Sequence, residues 1–260
     1  MRLGWMLLVS ACGRIHFSDN TALDATDGAQ DLMVVDALDP ILESCVMHLS
    51  VDELSWSGAG GEVTTRCGSI TGTAVGGARV VDDLVRGRVA EFVGDPSCLR
   101  FPSSATLEPT SELTMSAWMM RTVDDLAPHG ILAKRVAYQV ASQYTLFTQY
   151  GPLVYVDIND ETDRFSSNIA ASVGAWTQVT AVYDGSRPAS LRTRIYLDGQ
   201  LDQIALDGES SIAAIGSPFA IGCIPDGAAS QSFIGRLDDV IVWTRALDDV
   251  EVAAWYEQTR

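Results

Sequence analysis

Carboxylates dominate the residues able to do chemistry, and their densest run is Asp157-Ile158-Asn159-Asp160-Glu161-Thr162-Asp163. Paired carboxyls can work as general acid and base, or can offer hard oxygens to a divalent cation. Alternate residues of a strand share a face, so the neighbours Asp160 and Glu161 would point apart if extended. The run reads first as a solvated hairpin loop. The sharper reading makes Asp157 and Asp160 contacts to a polar ligand or to Ca²⁺. The histidines, His16, His48 and His129, are scattered, and no G-x-S-x-G turn offers any of them a nucleophile. The cysteines are too far apart to suggest a zinc cluster or a C-x-x-C redox pair.

Charge narrows the partners. The chain has 260 residues and a net charge of −17, from 34 acidic and 17 basic side chains. Nucleic-acid binding rests on cations that neutralise phosphates, and the arginines here are dispersed, so nucleic acid is excluded as a partner. An apolar content of 47% is enough for a large core.

The N-terminus carries chemistry of another kind. Met1-Arg2 supply a positive start, Leu3 to Val9 an apolar run, and Ser10-Ala11 small residues before Cys12. The run is too short to span a bilayer, which needs about 20 residues, and reads as a signal peptide over residues 1–11. Val9-Ser10-Ala11-Cys12 resembles a bacterial lipobox, which implies cleavage before Cys12 and acylation of its thiol. Each buried CH₂ of such chains contributes ~0.8 kcal/mol to anchoring. By the same resemblance to bacterial lipoproteins, Gly13 in place of Asp after the cysteine implies the outer membrane of the cell envelope. Residues 12–44 then form the lipidated cysteine and a flexible acidic tether: Asp19, Asp24, Asp27, Asp31, Asp36, Asp39 and Glu43 recur without a regular apolar face.

Residues 45–260 read as one all-β domain. Apolar and polar residues alternate in Leu113–Met119, Trp176–Tyr183 and Leu191–Leu197, and Asp184-Gly185 and Asp198-Gly199 supply turn chemistry. Many short strands between glycine turns indicate an antiparallel two-sheet sandwich or jelly roll. Only Ala246 to Gln258 suggests a short C-terminal helical turn. With Cys12 lipidated, Cys45, Cys67, Cys98 and Cys223 remain, an even set that fits two disulfides in an exported domain. Three pairings are possible. Cys45–Cys67 with Cys98–Cys223 is preferred, the first stapling the opening strand to the glycine-rich loop after it.

An ordered series of motifs now carries a resemblance. Asp52-Glu53, Leu99-Arg100-Phe101, Leu113 to Trp118 and Ile131-Leu132-Ala133-Lys134 are followed by Trp176, Val182-Tyr183-Asp184-Gly185 and Tyr196-Leu197-Asp198-Gly199. Ala220-Ile221-Gly222, Phe233 to Val240 and Trp243 to Leu247 close the series. Together they resemble a laminin-G-like domain of the concanavalin A-like lectin/glucanase type. The resemblance implies a jelly-roll sandwich with six or seven strands per sheet, in which Trp118, Trp176 and Trp243 are buried. It also implies a possible Ca²⁺ cofactor, with Asp52 and Asp238 as the best pair of ligands. Glucanases of this fold carry E-x-D-x-x-E on one strand, which this chain lacks.

The leading functional reading is a lipid-anchored, non-catalytic extracytoplasmic binding or adhesion module for glycan or cell-surface protein ligands. Trp56, in a glycine-bordered loop, and Tyr138 and Tyr144, around a hairpin, are the candidate contacts besides Asp157 and Asp160. The alternatives are an atypical glycoside hydrolase and a scaffold component of an envelope assembly.

Overall fold

The computed structural model describes residues 40–136, 142–159, 164–205, 208–225 and 231–260. The segments expected to be a signal peptide and, but for residues 40–44, a tether, with Cys12 between them, lie outside these residues, as do Tyr138 and Asp160. In chain order the strands are β1 (Cys45–Leu49), β2 (Thr73–Val75), β3 (Arg79–Asp83), β4 (Gly87–Val93), β5 (Cys98–Phe101), β6 (Glu112–Arg121), β7 (His129–Arg135), β8 (Ser142–Gln149), β9 (Leu153–Ile158), β10 (Arg164–Ser166), β11 (Thr177–Asp184), β12 (Thr193–Leu197), β13 (Gln200–Ala205), β14 (Phe219–Ile221) and β15 (Ile234–Trp243). The helix α1 (Asp249–Thr259) follows them.

The strands form two antiparallel sheets. One has eight strands in the order β13-β12-β11-β6-β15-β4-β3, with β1 also paired to β15; the other has seven, in the order β10-β9-β8-β7-β14-β5-β2. Alternation places Leu113, Met115, Ala117 and Met119 of β6 in the core between the sheets, where they meet Leu132, Leu146, Val156 and Phe219 from the opposite sheet. The seven-stranded sheet also buries the chain's single lysine. Lys134 Nζ donates to Ser217 O at 2.6 Å and pairs with Glu108 at 3.3 Å. Burial lowers its pKa, against the opposing pull of Glu108.

The polar residues between these apolar positions do not reach solvent. Thr114, Ser116, Gln178 and Thr180 are also buried, because a second apolar layer covers the outer face of the eight-stranded sheet. That layer contains Ile41, Val182, Tyr196, Ile241, Trp243, Leu247, Val252 and Trp255. The covered hydroxyls bond one another or the backbone: Ser116 Oγ lies 2.8 Å from Thr180 Oγ1, and Thr114 Oγ1 donates to Arg245 O at 2.8 Å.

The cover is α1 together with the segment before β1. Asp248 caps α1 by accepting from Val250 N and Glu251 N, and Glu251 reaches back to Asp248 N, completing a capping box. Trp255 meets Trp243 edge-on, with centroids 5.4 Å apart, and Trp243 Nε1 donates to Ile41 O at 2.7 Å. Arg245 bonds the carbonyls of Pro40 and Glu43, and Thr244 N donates to Ser44 O. Pro40–Ser44, expected in the tether, instead packs against the domain.

Charged groups lock this layer in place. Asp239 sits at φ 45°, in a bulge of β15 that adds a residue between Asp238, opposite Trp118, and Ile241, opposite Ser116. Arg86 donates to Asp238 at 2.8 Å, to Asp239 at 2.7 Å and to Thr259 O at 3.0 Å, and its guanidinium lies 4.2 Å from the Trp118 ring centroid. His48 approaches the other Asp239 oxygen at 3.0 Å. Thr259 Oγ1 accepts from Trp118 Nε1 at 2.9 Å and Gln178 Nε2 at 3.0 Å, and donates to Trp255 O at 2.9 Å.

Disulfides join Cys45 to Cys67 and Cys98 to Cys223, with Cα separations of 5.7 and 5.4 Å. Each bond of this kind contributes about 2–4 kcal/mol.

Removing Arg86 leaves the buried Asp238 and the half-buried Asp239 without their shared cation. Arg86→Leu is expected to lower the unfolding free energy by about 3–5 kcal/mol in urea titrations. Arg79→Ala, at an ion pair whose guanidinium is 58% exposed, should cost no more than about 1 kcal/mol.

Candidate functional site

The recess of interest opens on the outer face of the eight-stranded sheet, beside the β3–β4 hairpin. It has a volume of about 510 Å³ and is lined by Asp82, Asp83, Leu84, Val85, Met120, Gly174, Ala175, Trp176 and Arg236. Sites for small ligands span roughly 300–1,000 Å³.

Asp83 builds the hairpin side. Its Oδ1 accepts from Val85 N at 2.9 Å, from Arg86 N at 3.1 Å and from Trp176 Nε1 at 3.2 Å; its Oδ2 accepts from Arg236 Nη1 at 2.7 Å. Burial would raise its pKa, but these bonds outweigh burial and hold the carboxyl below its usual value. With the turn closed by its first residue, Leu84 and Val85 project outward, 107% and 79% exposed. Two apolar side chains at a hairpin tip have no role in a core.

The facing wall is Trp176, half-buried just ahead of β11. It follows Gly174, whose φ of 77° and bond from N to Arg121 O at 2.7 Å turn the chain into the strand. Arg86 lies 5.5 Å from the indole centroid. Arg236 and Met120 are register partners on β15 and β6 and supply the floor. The strands can approach here because residue 235 is glycine: a Cβ there would lie 2.1 Å from Met120 O. Arg236 Nε also reaches Glu91 at 3.4 Å, and Glu91 in turn pairs with Arg79.

The recess thus combines an indole wall, an apolar lip and a guanidinium held in place by the Asp83 carboxylate. Such a set can stack a ring and hydrogen-bond its substituents. The lining residues include no nucleophile poised beside a base.

The residues singled out from sequence lie elsewhere. Tyr144 is fully buried between the sheets, where its hydroxyl donates to Leu107 O at 3.0 Å; it belongs to the core, not to a ligand platform. Asp157 is no loop residue. It lies near the end of β9, fully buried, and accepts from Arg135 at 3.0 Å and from Arg164 at 2.8 and 3.0 Å. A carboxylate closed by two guanidiniums is poorly placed to serve a hydrolase as acid or base. Trp56 leans half-buried against the main core and does not stand free in its loop.

The proposed calcium pair does not fit either. Asp52 is engaged by Arg66 through bonds of 3.0 and 3.1 Å and by Ser50 at 2.8 Å, and Asp238 is closed by Arg86. Among the described residues no group of three or more His, Cys, Asp or Glu is placed to hold a metal ion. Trp176, expected in the core with Trp118 and Trp243, is instead half-buried and walls the recess. Its signals in the sequence were Gly174-Ala175 directly before it and the apolar pair inside Asp83-Leu84-Val85-Arg86-Gly87.

Because Asp83 titrates lower in the folded state than unfolded, its stabilisation is complete above the unfolded value of 3.8 and is lost as pH falls through the folded value. The Trp176 indole N–H resonance should therefore stay constant from about pH 5 to 8 and move on further acidification, with the acid-side change absent in Asp83→Asn.

Comparisons with known proteins fit this architecture. The sequence profile of the concanavalin A-like lectin/glucanases superfamily, in its laminin-G form, matches residues 94–253. No curated protein sequence matches the chain. Similar solved structures include the binding domain of botulinum neurotoxin DC in complex with rat synaptotagmin II, with a TM-score of 0.61 at 11% identity over 85% of this chain and 52% of that one. The binding domain of Paraclostridial mosquitocidal protein 1 gives 0.64 at 14% identity, over 83% and 52%. A Trypanosoma rangeli sialidase in complex with 2,3-difluorosialic acid gives 0.58 at 16%, over 82% and 33%. The chain spans about half the length of the binding domains it matches. Two antiparallel sheets, the helix that closes them and the match from residue 94 to 253 lead to one assignment: the chain belongs to the concanavalin A-like lectin/glucanase superfamily.

Proposed function

We propose that the chain is a non-catalytic binding module for glycan or cell-surface protein ligands, with the Trp176 recess as its ligand site. We further propose that a lipid on Cys12 anchors it in the cell envelope, in the outer membrane, with the acidic segment up to about residue 39 as its spacer. The observation that carries the binding reading is the half-exposed indole of Trp176, held by Asp83 across from a projecting apolar hairpin tip. Keeping Leu84 and Val85 in water has a cost that a bound ligand would relieve. The similar structures lend support: one is a neurotoxin binding domain in complex with synaptotagmin, and another concerns entry that depends on two ganglioside molecules.

Two measurements test the proposal. Labelled palmitate should enter the wild-type chain and be absent from Cys12→Ala, which should leave the membrane fraction. A glycan array and a cell-surface pull-down should each be run with wild type and Trp176→Ala. A ligand lost about tenfold or more in the variant, or ~1.4 kcal/mol, supports the recess; binding unaffected by Trp176→Ala and Leu84→Ser moves the site elsewhere.

A further inference from the structure

The groups that the recess leaves open decide which of the two ligand classes it suits, an inference that rests on the binding-module reading above. Its fixed polar groups are mostly committed to one another. The Trp176 N–H donates to Asp83, and that carboxylate also accepts from Val85 N, Arg86 N and Arg236. The Asp83 side chain is 7% exposed, against 29% for Arg236. Strand alternation turns Asp82 to the opposite face of β3, in register with Arg88. The polar group turned to a ligand is therefore a donor: the Arg236 guanidinium carries more N–H groups than its bonds to Asp83 and Glu91 use. The rest is apolar, from the indole, Met120 and Ala175 to the projecting Leu84 and Val85.

A sugar fits these groups poorly. Each hydroxyl is a donor that needs an acceptor once water is excluded, and the Asp83 carboxylate is closed by its own bonds. A peptide fits them well. Its main-chain carbonyl accepts without donating, and a neighbouring aliphatic or aromatic side chain can pack between the indole and the hairpin tip, as the anchor residues of protein interfaces do. Charge then selects among peptides. With 34 acidic against 17 basic side chains, the chain attracts basic segments at long range and repels acidic ones.

We propose that the Trp176 recess receives a large apolar side chain from a basic segment of a partner protein, with Arg236 donating to a main-chain carbonyl of that segment.

The test is a selection from a phage-displayed library of random dodecapeptides on the full-length chain in detergent micelles. Counter-selection uses the Leu84→Ser/Val85→Ser double variant, whose changes lie on exposed side chains outside the core. Enriched peptides should share a Trp, Phe or Leu and carry net positive charge. As labelled synthetic peptides they should bind about tenfold more weakly, or worse, to Trp176→Ala, and likewise when the shared residue is replaced by Ala. Their association rate should fall as salt rises. In a scan that replaces each amide of the peptide by an ester, a weaker acceptor, one position should weaken binding to wild type and leave binding to Arg236→Met unchanged. No enrichment, or enriched peptides indifferent to Trp176→Ala, overturns the peptide socket; Trp176-dependent binding on a glycan array in that case keeps the recess as the ligand site of the module. Enriched peptides of net negative charge overturn the charge selection. Trp176-dependent binding of neither class overturns both the socket and the recess reading beneath it.

Discussion

One guanidinium holds together three parts of this molecule that are distant in sequence. Arg86 leaves the β3–β4 hairpin, bridges the adjacent carboxylates Asp238 and Asp239 on β15, and ends on the carbonyl of Thr259 at the close of α1. Two neighbouring acids would not share a buried site without it. Burial and the charge of Asp239 push Asp238 above the usual carboxylate range, against the pull of Arg86, while the His48 bond and the nearby arginines outweigh burial and keep Asp239 low. The hairpin, the bulge and the helix end are thus fixed by one residue. Because Arg86 follows Leu84 and Val85 directly and its own N–H bonds Asp83, the same residue sets the lip of the recess.

Much of the fold was legible because strand periodicity is local. Leu113 to Met119 alternates, and β6 does place Leu113, Met115, Ala117 and Met119 in the core. The helical spacing near the C-terminus likewise becomes α1, with Asp248 and Glu251 as its capping box. What a local pattern cannot express is the second layer. Thr114 and Ser116 look like solvent-facing positions until a helix more than a hundred residues later covers them. Pro40–Leu42 sits within an acidic stretch that resembles a linker, yet Ile41 is buried because Trp243 and Arg245 receive its backbone.

The site was less legible for the same reason. Asp157 lies in a run of acids that suggests water, but Arg135, on a different strand, removes it from solvent. The resemblance buries Trp176, yet it has the parity of Gln178 and Thr180 on the outer face of the sheet, and just ahead of β11 its ring turns toward the hairpin. Tyr144 illustrates the converse. Beside an expected turn it looks exposed, while its register against Lys134 and Ile158 puts it between the sheets.

The burial of Lys134 bears on the chemistry that the folded surface offers. It is the chain's only lysine, and its ammonium is enclosed with Glu108 and the Ser217 carbonyl. Reducing sugars and other aldehydes condense with accessible, unprotonated amines, so the folded surface presents no lysine to them. The cationic side of its surface is left to arginine, whose guanidinium stays protonated and can fork across carboxylates. An amine-directed reagent therefore finds no exposed lysine side chain on the folded molecule.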